Sequence, residues 1–272
     1  MKILKLTVLL LLSLALMGCF ESVVLIRVNK DGSGTIEETV AISDSFMELM
    51  KSFSGEEAEA EEEVSDEELV DEQQLAEKAR SMGEGVRLES AEPVRTDRGA
   101  GYKALYSFSD INQVRVNQNP GENVTAPSMG GEQDEPVEEW LRFVFTKGGT
   151  ATLQIIYPQE PQVEEQEESG EGEVDLDSNP EMLEMMRQLY QDMHISIAVE
   201  VDGNITETNA SYVEGSRVTL MDVDFGKLLE DEQKFKELLS SNPKTIEEMK
   251  EVIQDNPGIK VETQESVRVR FR

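Results

Sequence analysis

The side chains able to do chemistry in this chain are one cysteine, one histidine and many carboxylates. Cys19 and His194 are each the single residue of their type, against 57 Asp and Glu residues. Zinc sites built from several Cys or His ligands therefore lack the side chains they need, and we predict no metal site. A Ser-His-Asp triad would have to use His194. Alternation with Ile195 places His194 on the polar face of a strand, so we interpret it as a solvated histidine.

The motifs that hold cofactors or nucleotides are absent from the sequence. There is no G-x-S-x-G elbow, no Walker loop and no dinucleotide fingerprint. The nearest match, Asp31-Gly32-Ser33-Gly34-Thr35, lacks the third glycine and the helix that would follow it, so it predicts a turn. We therefore predict that the chain uses no cofactor. Paired carboxylates could still act as a catalytic pair of the glycosidase type.

The first 19 residues have the pattern of an export signal that ends in a cysteine. Lys2 and Lys5 precede an apolar run over residues 6–17, too short for the roughly 20 residues that span a bilayer. Leu16-Met17-Gly18-Cys19 then resembles a bacterial lipobox. In lipoproteins the thiol receives a diacylglyceryl group, the signal (here 1–18) is cut before the cysteine, and the new amino terminus is acylated, for example with palmitate.

The lipobox resemblance carries implications for location and chemistry. It implies a membrane anchor on Cys19, which removes that thiol from Cys-His catalysis. Phe20 stands where the enteric model places the Asp that retains lipoproteins in the inner membrane, so an outer membrane is favoured if the cell has one. Two other interpretations of the segment stay open: an ordinary cleaved signal that leaves a free thiol, and an uncleaved membrane anchor.

The charge of the chain is strongly negative and unevenly distributed. The formal net charge is −32. Three stretches, about 54–64, 117–136 and 158–178, carry carboxylates without any Lys or Arg, and we predict that they are mobile acidic insertions. Residues 19–272 are otherwise predicted to form a single domain. Nucleic acid is excluded as a partner, because its phosphates would be repelled.

Alternating apolar residues separated by turn residues predict a series of hairpins. A final strand run is predicted to place Val261, Val267, Val269 and Phe271 on one face. The predicted pairs are 23–30 with 35–42, 86–94 with 102–108, 140–145 with 150–157, and 195–201 with 205–209, followed by strands at 217–221 and 259–271.

Amphipathic stretches between the hairpins predict helices. Ser65-Asp66-Glu67-Glu68 has the pattern of a capping box, and Asn179-Pro180 is a typical helix start. The predicted fold class is therefore α+β, with a mainly antiparallel sheet built from hairpins and packed by several amphipathic helices. The predicted helices cover 44–53, 65–82, 180–193, 225–239 and 245–253.

Two residue stripes are candidate binding surfaces. One is apolar and follows helical spacing, and it could meet a lipid or partner or simply pack on the sheet; it comprises Met182, Met185, Met186, Leu189 and Met193. Arg268, Arg270 and Arg272 alternate with apolar residues and share the outer face of the last strand. We expect these arginines to pair with glutamates such as Glu37 or Glu200, and an anion contact is the alternative.

The lipobox, the strand pair around 28–35 and the segment Gly101–Asn112 together resemble uncharacterised bacterial envelope lipoproteins, similar to the LppM-like group. The resemblance implies an anchored α+β domain and carries no catalytic residue. We therefore expect a lipid-anchored, non-enzymatic envelope protein that binds a partner protein or an apolar ligand. The alternative is a carboxylate-dependent hydrolase acting on envelope glycan, which needs two carboxylates roughly 5–10 Å apart in a cleft.

Overall fold

The described part of the protein is built mainly from β-strands. The computed structural model describes residues 20–43, 69–96, 99–118, 140–158, 190–231, 233–234, 256 and 258–272. Strands account for 57% of these residues and helical segments for 14%. The described α-helices are α1 (Glu72–Ser81) and α2 (Phe225–Leu229). The predicted α+β fold packed by several amphipathic helices is therefore wrong, because in the described residues the apolar faces of the strands pack mainly against a second sheet, and α1 is the helix that joins the main core.

The strands form two sheets. The larger sheet contains β1 (Phe20–Val28), β2 (Gly34–Ile42), β3 (Arg87–Thr96), β4 (Gly99–Phe108), β8 (His194–Val201), β10 (Val213–Glu214), β11 (Arg217–Asp224) and β12 (Ile259–Val261). The smaller sheet contains β5 (Arg115–Asn117), β6 (Trp140–Thr146), β7 (Ala151–Ile156), β9 (Ile205–Thr208) and β13 (Ser266–Phe271).

The order of the larger sheet is β10-β11-β8-β1-β2-β4-β3, with β12 also paired to β11. The smaller sheet has the order β5-β6-β7-β13-β9. Strand β1 thus lies at the centre of the larger sheet. It pairs antiparallel with β2 and parallel with β8, which is the one parallel pair among the described strands. Three predicted hairpins are confirmed: β1 with β2, β3 with β4, and β6 with β7.

The fourth predicted hairpin is wrong, because β8 and β9 belong to different sheets. Between them, the Asp202 N–H donates to the Val28 carbonyl at 2.9 Å. Asn204 and Arg272 then exchange backbone hydrogen bonds of 3.0 and 3.2 Å. Gly203, at φ +143°, lies between these two attachments. The Asp-Gly-Asn segment therefore transfers the chain from one sheet to the other.

The predicted strand over 259–271 is two strands in different sheets, β12 and β13. Within β13, Val267, Val269 and Phe271 are buried as predicted, but Val261 lies in the larger sheet. The turn between the strands is held by Glu262, whose carboxylate accepts the Thr263 and Gln264 N–H groups at 3.0 and 3.1 Å. A strand pattern alone does not show such a break.

One apolar core lies between the two sheets. Ile26 and Ile36 of the larger sheet and Leu153 and Phe271 of the smaller sheet are fully buried in it. Helix α1 adds Leu75, Ala79 and the following Met82, as its apolar spacing predicts. The helix begins after Asp71, whose side chain accepts the Gln74 N–H at 3.0 Å.

Several predicted features lie outside the described residues. They are the signal 1–18 and Cys19, the helices at 44–53, 180–189 and 245–253, the start of the helix at 65–68, and most of the insertions 54–64, 117–136 and 158–178. Of the helices within the described ranges, none combines the length and apolar content needed to cross a membrane.

Candidate functional site

The central strand of the larger sheet begins at Phe20, the residue directly after Cys19. In the register, Phe20 lies beside Ile42 of β2, and Glu21 lies beside His194 of β8. One peptide unit places consecutive Cα atoms about 3.8 Å apart. The predicted lipid attachment point is therefore joined to the middle of the larger sheet without an intervening linker.

Several strands of the larger sheet start or stop at the end of the sheet where β1 begins. Strand β8 begins here at His194, β11 ends at Asp224, α2 follows directly, and β12 begins at Ile259. We call this end of the larger sheet the anchor end and define it as residues 20–22, 42, 190–196, 222–230 and 258–260. It gathers residues that lie far apart in the sequence around the predicted acylation site.

The anchor end carries a histidine held between two carboxylates. His194 Nε2 lies 2.9 Å from Asp222 Oδ1, and His194 Nδ1 lies 3.5 Å from Glu21 Oε1. The three residues come from neighbouring strands, β1, β8 and β11, and project from one face. The His194 side chain is 20% exposed. The prediction of a solvated histidine is therefore wrong, because both ring nitrogens face a carboxylate.

The bases of the anchor end stabilise its carboxylates. The hydrogen bond from His194 lowers the pKa of Asp222, desolvation opposes this, and Lys260 lowers it further from 3.6 Å. Asp224 accepts the Lys227 N–H at 3.2 Å, as an N-cap of α2, and its second oxygen lies 3.2 Å from Lys227 Nζ. The start of the helix predicted over 225–239 is confirmed, because α2 begins directly after Asp224.

This arrangement does not resemble a glycosidase centre. Glu21 and Asp222 contact opposite nitrogens of the imidazole, so the His194 ring occupies the space between the two carboxylates. A glycosidase needs that space for the scissile bond and, in inverting enzymes, for a water molecule. Within the described ranges, no group of three or more Asp, Glu, His or Cys residues is arranged to hold a metal ion.

A small apolar cluster lies beside the carboxylates. Leu228 and Leu229 of α2 are buried and separate from the main core. The rings of Tyr190 and Phe225 stack against each other with centroids 5.4 Å apart. Val223 and Ile259 complete this cluster. It fixes α2 and the turn before β8 to the anchor end.

A buried carboxylate, Glu38, lies on the core face of β2. Its side chain is 2% exposed, and Lys78 Nζ of α1 lies 2.5 Å from Oε1. The Tyr106 hydroxyl donates to Oε2 at 3.2 Å. Burial first and the Glu38 charge second raise the pKa values of Tyr102 and Tyr106. The carboxylate thus ties α1 to the larger sheet.

The Arg stripe lies on the smaller sheet, not near its expected partners. Arg268, Arg270 and Arg272 are exposed, and Arg270 pairs with Glu207 at 2.6 Å. The expected partners Glu37 and Glu200 lie on the larger sheet instead, 3.3 and 3.8 Å from Arg27. The predicted pairing with a glutamate of a neighbouring strand is confirmed for Arg270, whereas the examples Glu37 and Glu200 are wrong, because β13 joined the other sheet. The anion contact stays a prediction.

Of the apolar stripe, Met193 is the residue that the structure describes. It is buried, and its N–H donates to the Tyr190 carbonyl at 3.0 Å. Its own carbonyl accepts the Phe225 N–H at 3.1 Å. Met182, Met185, Met186 and Leu189 lie outside the described residues. A ligand or partner contact by this stripe stays a prediction.

Sequence reasoning missed both carboxylate clusters. Glu38 had a readable signal, because it occupies the core-facing position between Ile36 and Val40 in an alternating strand. The cluster at His194 had no signal in the sequence, because it depends on the parallel register of β1 with β8. These two strands are separated by more than 160 residues.

Comparison with known proteins gives little further information. No family model and no curated protein matches the chain. Among solved structures, the NMR structure of the folded domain of the Mycobacterium tuberculosis LppM protein is 10% identical, covering 94% of this chain and 90% of that one. Its TM-score is 0.33. A likeness at that level carries no argument, so the function below rests on this chain's own residues.

Proposed function

We propose that the chain is a lipid-anchored, non-enzymatic protein of the bacterial envelope whose domain binds a partner protein or an apolar ligand. The anchor is the acylated Cys19. The domain lies outside the cytoplasm, on the outer membrane if the cell has two membranes. This proposal keeps the function expected from the sequence.

The observation that carries the proposal is the position of Cys19 relative to the fold. The lipobox ends at Cys19, and β1 begins at Phe20. Cleavage before Cys19 would remove the apolar signal and leave every described strand of the larger sheet intact. The processing site predicted from the sequence therefore lies directly before the first residue of β1.

The surroundings of the buried carboxylates support a role without catalysis. Glu38 is engaged by Lys78 and Tyr106. Glu262 accepts the Ser211 N–H at 2.6 Å and the Ser211 hydroxyl at 3.0 Å. Carboxylates held in this way stabilise turns and inter-element contacts. The hydrolase alternative finds no support at His194, where the imidazole fills the space between the acids.

The anchoring part is tested with Cys19→Ala in the full chain, expressed in a bacterium that acylates lipoproteins. We expect the variant to keep its signal and to lack acyl chains, because acylation precedes cleavage in lipoproteins. Ser13→Ala is the matched control, since it changes the apolar run and leaves the lipobox intact. Processing of Cys19→Ala to the same mature form as the control would contradict the proposal.

The binding part needs a separate experiment. Crosslinking in intact cells, followed by mass spectrometry of the purified anchored protein, detects a protein partner. Lipid extraction of the same preparation detects a copurifying apolar ligand. We expect one of the two at a stoichiometry near one per chain. If neither a protein nor a lipid copurifies above the level seen with an unrelated acylated domain, the proposed binding role is contradicted.

A further inference from the structure

The absence of a linker after Cys19 constrains how the domain is oriented on its membrane. Diacylglyceryl and amide-linked acyl chains on Cys19 lie in the bilayer, which holds this residue at the headgroup layer. Phe20 is the next residue and already belongs to β1. A domain on a long linker tumbles freely, but here the first strand of the sheet starts at the lipid itself.

We infer that the anchor end is the membrane-facing surface of the domain and rests on the phospholipid headgroups. This inference depends on the proposed acylation of Cys19 and adds the contact surface to it. The central position of β1 places neighbouring strands on both sides of the tether, β2 on one side and β8 on the other. The contact therefore involves the ends of several neighbouring strands of the larger sheet.

The carboxylates nearest the tether lie beside basic groups, while Asp192 and Glu230 add further negative charge to the anchor end. In a chain of net charge −32, Glu21 is the first carboxylate after Cys19, and it lies beside His194. Asp222 is paired with His194 and Lys260, and Asp224 with Lys227. Unpaired carboxylates held against headgroups would be repelled by anionic lipids. The pairs around the tether reduce that repulsion.

The opposite end of the larger sheet then points away from the membrane. The turn 29–33 and the sheet-crossing segment 202–204 lie there, at the far ends of β1 and β8. The eight residues of β8 rise about 3.3 Å each, so its two ends are roughly 25 Å apart. A distance of this size separates the two ends clearly in a quenching experiment.

The test attaches an environment-sensitive fluorophore to one introduced cysteine in the acylated full-length protein. Gln191→Cys lies just before β8 and Asn204→Cys lies just after it, and both positions are exposed. Acylated Cys19 does not react with the label. The labelled proteins are placed in phosphatidylcholine vesicles with and without a nitroxide on the lipid headgroup. Glu230→Cys and Lys30→Cys form a second pair of exposed sites at the same two ends.

We expect the nitroxide lipid to quench the label at 191 and 230 at least threefold more than the label at 204 and 30. Equal quenching at the two ends, or stronger quenching at 204 and 30, would overturn the inference while leaving the anchor in place. Intact mass is measured before labelling. A Cys19 without acyl mass would overturn the proposed function, and the inference with it, so the two failures are distinguishable.

Discussion

Asp222 shows how one residue links neighbouring strands and responds to pH. Its carboxylate contacts His194 and Lys260, which belong to the strands on either side of β11. Its lowered pKa means that the folded state binds a proton less readily than the unfolded state. The ionised carboxylate therefore stabilises the fold, and protonation removes that stabilisation.

We expect Asp222→Asn to lower the free energy of unfolding by about 1 kcal/mol at pH 7, the range of a partly exposed charge-assisted hydrogen bond. Because the folded pKa is below 3.8, the difference from wild type is fully present above that value and is lost as the pH falls through the folded pKa. Urea unfolding from pH 7 down to pH 3 measures it. Asp202→Asn, at an exposed turn, is the control. A difference that grows towards pH 3 would contradict this account.

An unpaired charge on Glu38 would destabilise the fold more than one on Asp222, because the Glu38 side chain is almost completely buried. We expect Lys78→Met to lower the free energy of unfolding by about 3–5 kcal/mol, since it leaves the carboxylate buried without its counter-charge. Replacing both members, as Lys78→Met with Glu38→Met, removes the unpaired charge, so the double variant should be more stable than Lys78→Met alone. Chemical denaturation of the variants checks this order. A double variant as unstable as the sum of the singles would show that the pair is not coupled.

At the scale of elements, the three residues between β8 and β9 decide which sheet the chain enters. Asp-Gly pairs typically close hairpins, and here the same chemistry makes a crossing. Gly203 is needed for two reasons. Its φ of +143° is rarely adopted by other residues, and a Cβ there would lie 2.6 Å from the Arg272 carbonyl oxygen.

We therefore expect Gly203→Ala to lower the free energy of unfolding by about 1–3 kcal/mol through backbone strain. Gly149→Ala is the matched control, because its Cβ would meet no atom within 4 Å and no positive φ is required there. The midpoint of urea unfolding measures both. Equal midpoints for the two variants would mean that the crossing tolerates a side chain and does not depend on glycine.

Local patterns in the sequence predicted the elements better than their partners. The three hairpins with short turns were predictable, because adjacent alternating runs pair with each other. Met82 and Leu75 were predictable as core residues from their helical spacing. The separation of β8 from β9 and of β12 from β13 was not, since it depends on contacts between residues that are distant in sequence.

The site was less predictable than the fold. Cys19 carries a specific local pattern, so its role could be predicted from the sequence and still awaits a test. The placement of Glu21 and Asp222 around His194 follows from strand order, and no local pattern encodes strand order. The Arg stripe shows the same limit: its exposure and a pairing with a glutamate were predicted correctly, but Arg270 contacts Glu207 and not Glu37.

For the whole molecule, the proposed acylation of Cys19 joins a strongly acidic chain to a membrane through one residue. An acidic surface gives no electrostatic attraction to anionic lipids, so association must come from the acyl chains. Each buried methylene contributes roughly 0.8 kcal/mol, and two or more chains give stable anchoring without a basic patch. The proposed location of the protein therefore depends on acylation of Cys19.

The most direct test is the mass of the mature amino-terminal peptide, isolated from the membrane fraction. We expect a peptide that begins at Cys19 and carries the mass of a diacylglyceryl group, with a further amide-linked acyl chain where the host adds one. A mature peptide with unmodified Cys19, or one that begins at another residue, would contradict this expectation.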